Sequence, residues 1–376
     1  MNKDLLNIVV TGGPCGGKTT ALDELTKLLR SYGYNVIIVP ETATEMMNNG
    51  ILPYGDNGLE GKDFQELLLD LQLAKEKVAR ESTKRNRAKK TAIIYDRGVL
   101  DNRAYLDDET FQSFLKARGI SESEILSSYD LVIHLVTAAI GKEEFYTKAN
   151  NAVRMENVDE ARLADKKTME TWKNHPNLRV VANDTLFNEK IENVKNCIRE
   201  YLGEEKVVKK ERYLLNISDI DFNTFFKNYE VVKEDLESFV IYNQDGYNEM
   251  YSKSTIYNSS YYTCTTNILD MNGISKSICR PITKEEYELG EIKNKTLKLN
   301  KIRYNFIDNN ERFRLDLYNI DGNYYAILER DVAIITKTEL PKFISNYIDI
   351  TNNSDYDDDS ICTDYNIDNI FKRRGK

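Results

Sequence analysis

Short, predominantly apolar runs occur at residues 5–10, 36–39, 92–95, 131–136 and 178–181. Runs of this length without polar alternation predict parallel strands buried on both faces. Between the first two runs, residues 18–32 place Leu22, Leu25, Leu28 and Leu29 on one helical face. Residues 63–83 predict a longer helix with Phe64, Leu67, Leu68, Leu71 and Val78 turned inward. This alternation predicts an α/β fold, an open doubly wound parallel sheet, over the first ~200 residues.

The pattern changes near residue 205, after the charged stretch 204–210. Beyond it the chain is rich in Tyr, Ile, Thr and Asn. Strand-like segments recur at 212–217, 238–242, 261–265, 297–306, 313–318 and 324–329, with turn dipeptides at Asp245-Gly246, Asn272-Gly273 and Asp321-Gly322. Such spacing predicts antiparallel hairpins. Two domains are therefore expected, 1–204 and 205–376, the second mainly β. Residues 352–368 are rich in Asp and Asn and read as a solvated acidic tail.

The net charge of −9 argues against general nucleic-acid binding, which needs a basic surface to displace counterions. No run of 18 apolar residues is present, so no membrane-spanning helix is expected. The N-terminal residues enter a strand directly and do not read as a signal segment. Five cysteines scattered without CxxC spacing suggest reduced thiols and a cytoplasmic location.

The sharpest motif is Gly12-Gly13-Pro14-Cys15-Gly16-Gly17-Lys18-Thr19, followed by Thr20, which fits GxxxxGK(S/T) once. A strand precedes it and an amphipathic helix follows. Glycines let the backbone wrap phosphates with its N–H groups turned inward, and the helix N-terminus adds partial positive charge. Lys18 is expected to reach the outer phosphates and the Thr19 hydroxyl to meet Mg²⁺. The loop thus predicts ATP or GTP binding with Mg²⁺. Cys15 reads as an inert small side chain.

Asp96 and Arg97 end the third run, where a carboxylate emerges at the sheet edge beside the loop. An acid there holds Mg²⁺ or accepts a proton, and an arginine clamps phosphate. Glu41 ends the second run; it is either a second acid dividing that labour or a plain loop acid. Arg154 and Arg162 lie in the polar stretch 147–167, as lid arginines neutralising transferred charge or as solvated helix residues. His134, in an apolar strand, reads as a core histidine; Trp172 and His175 read as packing or capping residues.

The stretches TGGPCGGKTT, VPETATEMM, IIYDRG and FYTKANNAVRMENVDEARLADKK resemble the AAA-type P-loop family that includes nicotinamide-riboside and deoxynucleoside-like kinases. The resemblance implies Glu41 or Asp96 as base and Arg97, Arg154 and Arg162 as charge clamps. It places Gln65 and Gln72 toward an acceptor, and Asn183, Asp184 and Thr185 by the nucleobase.

Residues ~207–352 resemble the CYTH, or triphosphate-tunnel, domain, which implies a closed antiparallel β-barrel lined by inward charges. The matching residues include Glu211, Arg280, Lys301, Arg303, Glu329 and Asp331. Residues two apart in a strand share a face, so Lys301 projects with Arg303, and Glu329 with Asp331. The family's opening ExExK is here Lys209-Lys-Glu211-Arg-Tyr213, lacking one acid and the lysine. Residues 249–254 replace an RxRxR-like strand. Together these departures predict anion binding without metal-dependent triphosphate hydrolysis.

The combination resembles the translocation-defect family first named for trafficking of a photoreceptor channel, which implies recognition of an anionic phospholipid. Two functions follow as expectations. One is phosphoryl transfer to a nucleoside-like or other hydroxylated acceptor, with a degenerate tunnel holding a phosphorylated ligand. The other is a nucleotide-gated binding protein without kinase activity.

Overall fold

The computed structural model describes residues 4–142, 157–204, 207–244, 246–257, 259–269, 275–309, 311–320, 322–333 and 339–363. The chain divides into two compact units, at Leu202/Gly203 apart from residues 31–33, which group with the second.

In the first unit all five apolar runs are strands: β1 (Leu5–Thr11), β2 (Asn35–Val39), β3 (Thr91–Asp96), β4 (Leu131–Leu135) and β5 (Leu178–Val181). They pair in parallel in the order β2-β3-β1-β4-β5. The helices are α1 (Lys18–Ser31), α2 (Thr42–Asn48), α3 (Gly61–Thr83), α4 (Asp108–Ala117), α5 (Glu122–Ser127), α6 (Val158–Trp172) and α7 (Phe187–Tyr201). Leu22, Leu25, Leu28 and Leu29 of α1 are buried as their spacing implies.

The face of α3 differs from expectation. Phe64 and Leu68 are buried, but Leu67 is 49% and Val78 68% exposed, while Gln72 and Glu76 are buried in their stead. The cause is a polar network. Gln72 Nε2 donates to Arg97 O and Glu76 Oε1, both at 3.0 Å, and Glu76 receives Arg80 and the Tyr129 hydroxyl at 2.8 Å. Partnered polar groups tolerate burial, and hydrophobic periodicity does not register them.

The second unit carries β6 (Val207–Leu215), α8 (Phe222–Asn228), β7 (Val232–Gln244), β8 (Tyr247–Ile256), β9 (Ser259–Leu269), β10 (Ser275–Pro281), α9 (Lys284–Lys293), β11 (Leu299–Asp308), β12 (Glu311–Ile320), β13 (Asn323–Ala333), β14 (Ile348–Asp349) and α10 (Asp358–Thr363). Its strands form one antiparallel sheet, β10-β9-β8-β7-β11-β12-β13-β6-β14. The expected closed barrel is not found: among the described residues the edge strands β10 and β14 do not pair. One face packs Phe306, Phe313, Leu315 and Leu328 under Phe225 of α8.

The other face is covered by part of the stretch read as a solvated tail: residues 352–355 are exposed, and 364–368 lie outside the described residues. Tyr356, Ile361 and Cys362 are buried against Leu214, Val240 and Ile327, so residues 356–362 are a packed cap on the sheet. Among the described residues no helix is long and apolar enough to cross a membrane.

Candidate functional site

The register of the first sheet gathers the site. Val10 of β1 pairs with Asp96 of β3, and Val39 of β2 with Tyr95. The phosphate loop, Glu41 and Arg97 therefore leave the sheet at the same carboxyl edge, where ligands bind in such folds. Gly12 has φ +132°, and a Cβ there would lie 2.0 Å from Leu135 O, so the turn admits glycine alone. Cys15, with φ +56°, occupies a left-handed loop position. Lys18 Nζ donates to Gly12 O (3.1 Å) and Gly13 O (2.8 Å). Thr19 is exposed at the first turn of α1, and Thr20 is buried beneath it.

Arg97 sits at φ +68°, a conformation a non-glycine residue keeps only when its surroundings impose it. Its N–H donates to Val10 O at 3.0 Å and its carbonyl accepts from Gln72. The side chain then turns to Glu41, with Nε 2.5 Å from Oε1, while Thr44 Oγ1 donates to Oε2 at 2.7 Å. Burial would raise the Glu41 carboxyl, but Arg97, Lys18 and these hydrogen bonds overcome it and hold it at about 2. Asp96 goes the other way. Burial and the Glu41 charge push it up to about 6, against Lys18 and Arg97. Asp96 Oδ1 and Arg97 Nη1 are buried with no hydrogen-bond partner. A buried carboxylate oxygen and a guanidinium nitrogen left unmatched fit a hydrated cation and a phosphate oxygen.

Lys18, Glu41, Asp96 and Arg97 thus come together. Arg162, on α6, bonds Ala139 O at 2.7 Å and Asp159 at 3.1 Å, and Arg154 lies outside the described residues. Asn183 donates to Val136 O, Thr137 O and Ile140 O, bracing the segment after β4; Thr185 Oγ1 reaches Leu186 O at 3.4 Å. Sequence reading missed Asp101, which accepts from Thr11 Oγ1 (2.5 Å), Gly98 N (2.7 Å) and Trp172 Nε1 (3.3 Å) and so fixes the turn after Arg97. It also missed Asp165 of α6, whose Oδ1 accepts from Gly13 N (2.8 Å) and Thr137 N (3.0 Å), and Lys190 of α7, which touches the loop at Gly16. Each reaches the loop from more than 150 residues away, so no local spacing could reveal it.

Residues 7–190 match the AAA domain family. This part of the chain is an AAA-type domain. No curated protein matches the chain. Among solved structures it is similar to the inorganic triphosphatase NE1496, at 12% identity and TM-score 0.31, over 42% of this chain and 94% of that one. A second structure, titled hypothetical protein NE1496, gives 12%, 0.30, 42% and 97%. The PH1819 protein from Pyrococcus horikoshii OT3 gives 13%, 0.26, 37% and 93%.

In the second unit the six candidate residues separate. Arg303 of β11 faces Asp316 of β12 with contacts of 2.7 and 2.8 Å, and Lys301 meets Asp316 at 2.9 Å and Asp358 at 2.6 Å. Arg314 binds Glu329 at 2.9 Å and Asp331 at 2.6 Å. These pairs share one face, as the two-residue spacing predicts. Glu211 does not join them: it pairs in register with Arg330, on the opposite face from Glu329, and bonds Lys209 and Tyr213. Arg280 lies on edge strand β10, three strands from β7, the neighbour of β11, and is bonded to Glu286 at 2.7 Å.

The charges on this face compensate one another. Burial would raise Asp316 and Glu329, yet the guanidiniums beside them hold both carboxyls well below the usual range. The cap contributes Asp357 to Arg212 (2.5 Å) and Asp358 to Lys301.

Proposed function

We propose that the first unit transfers the terminal phosphoryl group of a nucleoside triphosphate, ATP or GTP, to a hydroxyl of a nucleoside-like or other small acceptor. The observation carrying this is the gathering of Lys18, Glu41, Asp96 and Arg97 at one sheet edge, with Asp96 Oδ1 and Arg97 Nη1 buried and unmatched. Backbone N–H groups of residues 15–19 and Lys18 hold the polyphosphate. Thr19 and Asp96 would hold Mg²⁺, which when bound neutralises phosphate charge. Arg97, aimed by Glu41, meets charge on the moving phosphoryl group.

Of the two carboxylates Asp96 suits proton acceptance, because its Oδ1 has no partner while both oxygens of Glu41 are taken by Arg97 and Thr44. The acceptor oxygen bonds to the γ-phosphorus as the bond to the β–γ bridging oxygen breaks, the nucleoside diphosphate leaves, and the acceptor's proton passes to Asp96. Diphosphate release is expected to accelerate severalfold with a competent acceptor from a panel of ribonucleosides, deoxyribonucleosides and sugars, mass spectrometry showing the phosphorylated product. Release at one rate with every acceptor and with none would contradict transfer.

For the second unit, we infer that any polyphosphate or anionic lipid headgroup must displace carboxylates already on Lys301 and Arg303. This supports weak anion binding and argues against a catalytic tunnel. With inorganic triphosphate and Mg²⁺ or Mn²⁺, the full chain is expected to release phosphate slowly. Any release should vanish in Lys18→Ala and persist in Glu329→Gln. Rapid release with the opposite dependence would assign hydrolysis to the sheet.

A further inference from the structure

The phosphate loop is fastened from behind by three groups that serve no proposed chemical step. Lys190, on α7, is 3% exposed, and its ammonium donates to Gly16 O (2.8 Å), Val136 O (2.8 Å) and Asn183 Oδ1 (2.7 Å). All three of its N–H donors are thereby matched. Asp165 holds Gly13 N, and the Thr137 hydroxyl donates to Pro14 O. In a trans peptide the C=O and the following N–H point in opposite directions. Pinning Gly16 O outward onto Lys190 therefore turns Gly17 N–H to the other side of the loop, and pinning Pro14 O does the same for Cys15 N–H. Those are N–H groups a bound polyphosphate needs facing it.

We propose that Lys190 is a positioning residue of the phosphate loop, whose ammonium sets the direction of the Gly16–Gly17 peptide and binds its proton more tightly once a nucleoside triphosphate is in place. The inference rests on the nucleotide-binding reading of the loop and adds to it a residue that no loop motif contains.

Its electrostatics agree. Burial pulls the Lys190 ammonium down to about 8, helped by Lys18 from α1 and opposed by Asp165 from α6. Phosphates entering the loop add negative charge nearby and restore its affinity for the proton. Binding near pH 8 then takes up a fraction of a proton, and nucleotide affinity falls as pH rises through that value. Stability moves oppositely. Between about 8 and the ordinary 10.5 the unfolded chain holds this proton more firmly than the folded one, so this group's contribution to stability rises with pH.

The test is calorimetric titration of ATP with Mg²⁺ into the full chain at pH 8, in two buffers of different ionisation enthalpy. Wild type is expected to take up a fraction of a proton. Lys190→Met should bind about 10- to 100-fold more weakly with that uptake abolished, the loss of a hydrogen bond to a charged group. Lys190→Arg, charged throughout, should lose the uptake while retaining more affinity than the methionine variant. Wild-type affinity and uptake in Lys190→Met would overturn the assignment. Should that variant not fold, undiminished uptake in Lys190→Arg would overturn it equally. A wild-type chain that binds no nucleotide would overturn the reading of the loop itself, a different result from binding that ignores Lys190.

Discussion

Asp96→Asn is expected to lower turnover about 100- to 1,000-fold while nucleotide affinity changes little, the size associated with loss of a positioned base or charge-stabilising group. The substitution keeps the side chain's shape and removes the one carboxylate of the cluster pushed up to about 6. Metal-free stability should move the other way. A carboxyl raised from 3.8 contributes its full stabilisation below that value and loses it as pH rises through about 6. At pH 7.5 the buried Asp96 charge, beside Glu41, therefore burdens the apo fold, and the asparagine variant should relieve about 1–3 kcal/mol. Thermal unfolding in a chelator, compared at pH 5 and pH 7.5, checks this. Unchanged turnover, or a variant less stable at pH 7.5, would remove Asp96 from the proposed role.

Lys18→Ala is expected to weaken binding of ATP and GTP about 100-fold or more, through lost charge-assisted contacts to phosphate. The fold should survive. Lys18 is half-buried and rests on the loop carbonyls of Gly12 and Gly13, which can be hydrated when it is gone. Titration of both nucleotides, paired with the far-ultraviolet spectrum and melting midpoint, separates lost binding from lost structure. A folded variant with wild-type affinity would end the assignment of the loop.

Much of the first unit is legible in its sequence. The three central strands follow from runs buried on both faces, which tolerate no polar alternation, while the edge strands β2 and β5 are only partly buried; the glycine spacing marks the loop because few residues accept φ +132° or a carbonyl 2.0 Å from a would-be Cβ. The strand-end places of Glu41, Asp96 and Arg97 are legible, and the sheet register brings those ends to one edge. The opposite charge states of the two acids are not, since these depend on tertiary contacts: Arg97, Lys18 and Thr44 draw Glu41 down, while burial and the Glu41 charge push Asp96 up.

What escaped has physical reasons. Gln72 and Glu76 invert the expected face of α3 because each finds a buried partner. Asp165 and Lys190 meet the loop only through tertiary folding. In the second unit, two-residue spacing gives the shared face of Lys301 and Arg303 but says nothing of strand order, which sends Arg280 to the far edge and, among the described residues, leaves the sheet open. The aspartates at 357–359 suggested solvation by composition, yet Tyr356, Ile361 and Cys362 around them anchor the segment on the sheet.

The central claim is that the loop at residues 12–19 binds a nucleoside triphosphate for phosphoryl transfer. Calorimetric titration of ATP and GTP, each with Mg²⁺, into the wild-type chain tests it most directly. One site per chain for at least one of them is the predicted result, with the diphosphate competing for that site. Binding of neither nucleotide would contradict the account.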